Sequence, residues 1–83
     1  MTYIPPPEVP PAFPHLKRTK LKTGKKGANL RRRWVDEDGN IYEWDSFHAR
    51  IEKYNRRGKH LGEFNPLTGV QTKPADPARR VEP

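Results

Sequence analysis

From Arg31 onward, aromatic and β-branched residues come in short runs split by turn signals, a pattern of strands rather than of helices. Trp34 and Val35 precede Asp36-Glu37-Asp38-Gly39-Asn40, a strong turn. Ile41-Tyr42-Glu43-Trp44 follows as a strand, and Arg50 to Tyr54 and His60 to Phe64 are the next two, parted by a turn at Asn55 to Gly58. Asn65-Pro66-Leu67-Thr68-Gly69 places proline and glycine where a tight turn wants them, and Val70 to Thr72 is a last short strand. The tail from Pro74 is punctuated by proline again. The pattern predicts an all-β protein, a small and highly twisted antiparallel meander of local hairpins without internal repeats.

Upstream the alternation disappears. Six prolines fall between Pro5 and Pro14. Proline fixes φ and lacks the amide donor, so residues 1–15 are expected to be extended, either as a linker or as an arm hugging the surface. A proline-rich ligand for an adaptor domain is the alternative. From Lys17 to Arg33 the chain is basic, with no acidic residue between Glu8 and Asp36, and Gly24, Gly27 and Asn29 interrupt it. Two readings stand: a disordered tail, or an arm that tracks phosphates.

Composition narrows the function. With 83 residues the chain holds one domain at most, and 31% hydrophobic against 33% charged residues leaves little for a core. No cysteine is present, which excludes disulfides and thiolate metal sites. No apolar run approaches membrane length, and the N-terminus lacks the apolar stretch of a signal peptide. A soluble chain acting in a reducing compartment is expected, with export by a larger carrier as a further option. The net charge of +7 and pI of about 10.1 suit a polyanion. An acidic protein or an anionic membrane would also satisfy that charge, but no basic amphipathic helix supports a membrane role.

One stretch is ambiguous. Asp45, His48 and Glu52 stand at i, i+3 and i+7, which is helical spacing, and Asp45 or Ser46 would cap such a helix. In a straight strand Asp45 and His48 would face opposite sides, with His48 and Glu52 roughly 13 Å apart. A hairpin turning at Ser46 to Ala49 instead makes Asp45 and Glu52 cross-strand neighbours, with His48 on the turn between them. The hairpin is preferred, because β-favouring residues dominate on both sides. Cleaving RNA without a metal needs a base for the 2′-hydroxyl proton, an acid for the leaving 5′-oxygen and a cation for the phosphorane. Asp45, His48 and Glu52 offer such groups, although carboxylates and histidines on a turn are more often merely solvated. His48 and His60 lack a metal-ligand spacing, so no metal and no cofactor are expected. Trp34, Tyr42, Trp44, Tyr54 and Phe64 must be divided between core and base stacking, with Trp44 and Phe64 assigned to the core.

Ile41-Tyr42-Glu43-Trp44-Asp45-Ser46, then His48, Glu52 and Tyr54, resembles the core of the cytotoxic ribonuclease domain of the rRNA-cleaving E-type colicins. So do His60-Leu61-Gly62, Phe64, Pro66, Thr68-Gly69, Gln71, Lys73 and Asp76-Pro77, and the lysine- and glycine-rich lead-in to Arg33-Trp34. The resemblance runs from about Leu16 to Arg80 and makes residues 16–83 the cytotoxic domain, behind an arm of residues 1–15.

The resemblance implies an endoribonuclease toxin that cuts one bond in the decoding site of 16S rRNA. It implies Glu52 as general base, His48 as general acid, Asp45 as the carboxylate that holds and polarises the histidine, and Arg79 as the transition-state cation, with Arg80 adjacent. Lys17, Arg18, Lys20, Lys22, Lys25, Lys26, Arg31, Arg32, Arg33, Tyr42, Tyr54, His60 and Lys73 are the RNA-binding candidates. Three departures lie beside this set: a loop after Tyr54 one residue shorter, Arg50 where those colicins carry an acid, and Ala49 in place of a glycine. The expected partners are the small ribosomal subunit and an acidic cognate immunity protein. No membrane partner is expected, and the free domain is expected to be a monomer. Such a domain would be exported on a larger carrier and act in the cytoplasm of the target bacterium. A non-catalytic basic RNA- or ribosome-binding module is the alternative, and a structural domain docking an acidic protein is a third reading.

Overall fold

The computed structural model describes residues 3–20 and 31–83. Among them lie six strands and no helix: β1 (Lys17–Thr19), β2 (Arg33–Val35), β3 (Ile41–Asp45), β4 (Arg50–Tyr54), β5 (His60–Phe64) and β6 (Gln71–Lys73). They form one open antiparallel sheet in chain order, β1-β2-β3-β4-β5-β6. The three turns expected at Asp36–Asn40, Asn55–Gly58 and Asn65–Gly69 connect neighbouring strands, and the hairpin at residues 46–49 takes the place of the helical alternative. The last strand sits one residue later than expected. The two ends of the basic segment are strands that pair with each other, Lys17 opposite Val35 and Thr19 opposite Arg33. Lys22, Lys25 and Lys26 lie outside the described residues.

Directly opposed residues share a face of an antiparallel sheet. Trp34 opposes Tyr42, and Trp44 opposes Ile51, which opposes Phe64. That face is apolar, and an open sheet must cover it with a second layer. The proline-rich segment is that layer. Leu16 joins Trp34, Tyr42, Trp44 and Ile51 in the buried cluster, with Val9 and Phe13 packed against it. Pro10 is fully buried. The Phe13 ring stands edge-on to Phe64 at 6.2 Å. The indole N–H groups of Trp34 and Trp44 donate to the carbonyls of Glu8 (3.0 Å) and Ile4 (2.8 Å). A segment rich in proline suits this position, because it supplies carbonyl acceptors while carrying few amides that need partners of their own. Its ends are fastened by the Ile4 amide on the Ser46 carbonyl and the Ala12 amide on the Pro66 carbonyl.

All five residues of β3 are buried, so the opposite face is covered as well. There the C-terminal segment crosses the sheet. The Val81 amide donates to the Gly58 carbonyl, and Lys59 bridges Arg80. Gly58 has φ of 85°, and a Cβ there would collide with the Val81 carbonyl, so only glycine permits this approach.

Candidate active site

The covered second face is built from charge. Arg33, Glu43 and Asp45 alternate with the core residues of β2 and β3, and Arg50, Glu52 and Tyr54 do so on β4. Glu52 opposes Glu63, and an irregularity between Lys53 and Tyr54 lets Tyr54 oppose His60. Arg33, Glu43, Asp45, Glu52, His60 and Glu63 are all buried, yet among the described residues no buried side-chain nitrogen or oxygen lacks a partner. Buried polar groups are tolerable only on that condition.

Asp45 opposes Arg50, and Glu52 opposes Glu43. Asp45 and Glu52 are therefore the cross-strand neighbours expected from the sequence, on one face and diagonal rather than directly opposed. Four turn residues follow Asp45, which pairs it with Arg50 and moves Glu52 two positions along. The carboxylate oxygens of Asp45, Glu52 and Glu63 lie within 4.8 Å of one another, a convergence that is costly without counter-charges. Each has them. Asp45 Oδ2 meets His48 Nδ1 at 2.8 Å, and its Oδ1 accepts the Phe47 amide at 3.0 Å. Glu52 Oε1 meets His60 Nε2 at 2.8 Å and lies 3.6 Å from Arg79 Nη1. Glu63 lies 4.0 Å from Arg50 Nε and 3.9 Å from Lys73 Nζ, and accepts the Thr72 hydroxyl at 2.7 Å. Arg33 donates twice to Glu43 Oε2, at 2.7 and 3.1 Å, and once to the Glu82 carbonyl.

The electrostatics follow from these contacts. Burial pushes the Asp45 carboxyl up, but the His48 hydrogen bond, the Phe47 amide and the charges of His48 and Arg31 outweigh it and hold Asp45 below the ordinary range. It is an anion. Its bond to His48 Nδ1 leaves Nε2 of that ring without a partner among the described residues, and the His48 side chain is 64% exposed. Burial raises the Tyr54 phenol despite the nearby Arg79 charge, so Tyr54 keeps its proton while its oxygen accepts from Arg79 Nε at 3.0 Å. Burial lowers Arg79, but Tyr54 and Glu52 more than restore it, so the cation is permanent. One face thus holds an exposed imidazole backed by an anion, a buried carboxylate and a fixed guanidinium. Such a set can accept a proton, deliver a proton and neutralise charge between the two.

The RNA-binding candidates separate into two groups. Lys17, Arg18, Lys20 and Lys73 are exposed, and Arg31 and Arg32 half-buried. Arg33, Tyr42, Tyr54 and His60 are buried and engaged internally: Arg33 with Glu43, the Tyr42 hydroxyl with Asp36, Tyr54 with Arg79, and His60 with Glu52. Beside Asp45 opens a cavity of about 270 Å³ lined by Tyr3, Arg31, Arg32, Trp44 and Phe47. The sequence reading did not single out Glu43 and Glu63. Glu43 had a signal, the period-two spacing that puts it in phase with Asp45, whereas Glu63 reaches this face through a register irregularity that period-two spacing does not show.

Comparison with known proteins adds an independent line. The profile of the Cytotoxic family matches residues 4–82. Colicin E6 of Escherichia coli is 47% identical over 70 residues, which cover 81% of this chain and 13% of the colicin. Cloacin of Escherichia coli matches with the same identity over 81% of this chain and 12% of its own length. Colicin E3 of Escherichia coli is 47% identical over 64 residues, 74% of this chain and 12% of the colicin. The chain therefore spans a small fraction of the curated relatives it matches.

Proposed function

The chain belongs to the Cytotoxic family, the ribonuclease domain of colicin E3, colicin E6 and cloacin, and from that premise we propose that it is a bacterial toxin endoribonuclease that cuts 16S ribosomal RNA at the decoding site. The observation that carries the reading is the convergence of the Asp45–His48 pair and the Glu52–Arg79 pair on one sheet face. Glu52 takes the 2′-hydroxyl proton, and the freed oxygen attacks the adjacent phosphorus. Arg79, already beside Glu52, neutralises the charge that accumulates on the phosphorane. His48, protonated and backed by the Asp45 anion, gives its proton to the departing 5′-oxygen. The products are a cyclic 2′,3′-phosphate and a free 5′-hydroxyl, with Glu52 left protonated and His48 neutral until solvent resets both. No step calls for a metal or a cofactor.

The exposed Lys17, Arg18, Lys20 and Lys73, with the half-buried Arg31 and Arg32, supply affinity for the phosphate backbone. The cavity beside Asp45, with two arginines and the exposed Phe47 at its rim, suits a nucleotide flanking the scissile bond. The expected partners are the small ribosomal subunit and an acidic immunity protein that occupies the basic surface. The domain travels on a larger carrier and acts in the target cell's cytoplasm.

The test is incubation of the chain with intact ribosomes, followed by sizing of the rRNA. A single small fragment of the 16S species, ending in a cyclic phosphate, supports the reading. Intact rRNA with salt-dependent ribosome binding would make the chain a binding module instead.

A further inference from the structure

His60 is almost fully buried, at 4% exposure, and both ring nitrogens are in hydrogen-bond contact. Nε2 lies 2.8 Å from Glu52 Oε1, and Nδ1 lies 2.9 Å from the backbone nitrogen of Asp76. A backbone amide can only donate, so Nδ1 must present its lone pair. The ring proton then belongs on Nε2, where it is donated to Glu52. An imidazolium would set an N–H on Nδ1 against the Asp76 N–H and lose that bond.

The turn that supplies this amide is itself fastened. The Ala78 amide donates to the Asp76 side chain, the Arg79 amide to the Asp76 carbonyl, and the His60 amide to the Arg79 carbonyl. The same turn carries Arg79, whose Nε–H reaches Tyr54 and whose Nη1 lies near Glu52 Oε1. Tyr54 stands edge-on to the His60 ring at 5.2 Å and blocks it from tilting. The charged groups at the ring's Nε2 side are Glu52 from the sheet, which it touches, and Arg79 from the tail, which lies beside that carboxylate.

We propose that His60 is a positioning residue, locked by the Asp76 amide as the neutral Nε2–H tautomer, which ties down Oε1 of Glu52 so that Oε2 is the oxygen that receives the substrate proton. This rests on Glu52 being the base of the proposed ribonuclease. The ring's one N–H is committed to Glu52 and its one lone pair to the Asp76 amide, so neither is offered to RNA. The C-terminal turn thereby becomes part of the site, setting the direction of the base through His60 and placing the cation through Arg79.

Two measurements test this. Long-range ¹H–¹⁵N correlation spectra of the ¹⁵N-labelled chain near neutral pH read the tautomer without reference to activity. The expected pattern for His60 is a protonated Nε2 and a bare Nδ1; an Nδ1–H tautomer or an imidazolium overturns the proposal. The second is cleavage by His60→Leu and His60→Gln. Gln keeps an N–H donor for Glu52, and Leu does not. The Leu variant should lose on the order of 10–100-fold in kcat with KM for ribosomes unchanged. The Gln variant should recover most of that loss. Equal activities in Leu, Gln and the parent, equal losses in Leu and Gln, or a loss carried by KM rather than kcat, overturn the positioning role. If the parent itself cuts no RNA, the assignment of Glu52 as base falls with the proposed function, while the spectrum still decides the tautomer.

Discussion

The two faces of this sheet are made by the same strands and covered by opposite ends of the chain, yet they hold together in different ways. On the face beneath the proline-rich segment, Trp34, Tyr42, Trp44 and Ile51 are buried by contact area. On the other, Arg33, Glu43, Asp45, Glu52, His60 and Glu63 are buried just as deeply, by pairing. Apolar burial is non-directional and stabilises in proportion to area. Burial of charge costs free energy that pairing about offsets, so it contributes little net stability while fixing geometry tightly. A chain this small that devotes one face to charge gives up half its capacity for a core. What it gains there is an arrangement of proton donors, acceptors and a cation that an apolar face cannot supply.

The comparison can be broken most directly at Trp34, which has no exposed surface. Trp34→Ala should cost about 3–5 kcal/mol, a large share of a small domain's stability, read as a fall in the urea midpoint. Next is the Arg33–Glu43 pair. Arg33→Met alone strands a buried carboxylate and should cost about 3 kcal/mol or more, whereas Arg33→Met with Glu43→Leu should unfold near the parent midpoint. A double variant as unstable as the single one would mean that the charged face contributes net stability after all.

The third test separates chemistry from stability. Glu52→Gln keeps the shape and the acceptor for His60 but is a far weaker base, and should cost on the order of a hundredfold in cleavage rate with a nearly unchanged urea midpoint. The fourth is pH. Asp45 sits below the ordinary aspartate value of 3.8, so its pairing stabilises the fold fully above that value. The contribution is lost as pH falls through the depressed folded value. Asp45→Asn should therefore flatten the acid side of the stability profile while also impairing cleavage through His48. The smallest effect is expected at Ala49, whose φ of 51° is unusual for a residue with a Cβ. Ala49→Gly should raise stability by about 0.5 kcal/mol, relief of strain being partly offset by a freer unfolded chain.

The strands were legible because β-branched and aromatic runs alternate with turns such as Asn55–Gly58 and Asn65–Gly69, whose chemistry is local. The hairpin bringing Asp45, His48 and Glu52 together was legible for the same reason. Its register was not, since the length of the turn at 46–49 decides whether Asp45 meets Glu52 or Arg50. The first strand was hidden because Lys17-Arg18-Thr19 has no apolar alternation and pairs with residues well downstream. The burial of Tyr54 and His60 was hidden most deeply. A tyrosine and a histidine in a basic chain look like RNA contacts, and only the return of a proline-punctuated tail across the sheet encloses them.

The indole bonds from Trp34 and Trp44 to the carbonyls of Glu8 and Ile4 also have a mechanical meaning. Tension applied at the amino end loads these attachments one after another, as a zipper, rather than together in shear. The Ile4–Ser46 link and the Trp44 bond give way first, then the Trp34 bond. When the strip has come away as far as Leu16, the whole apolar side of the sheet faces water. Resistance to pulling from that direction is therefore set by the grip of this strip, through the two indole bonds, the Ala12–Pro66 link and the packing of Val9, Pro10, Phe13 and Leu16. A chain pulled amino end first would therefore expose its apolar face before any pair of neighbouring strands was parted.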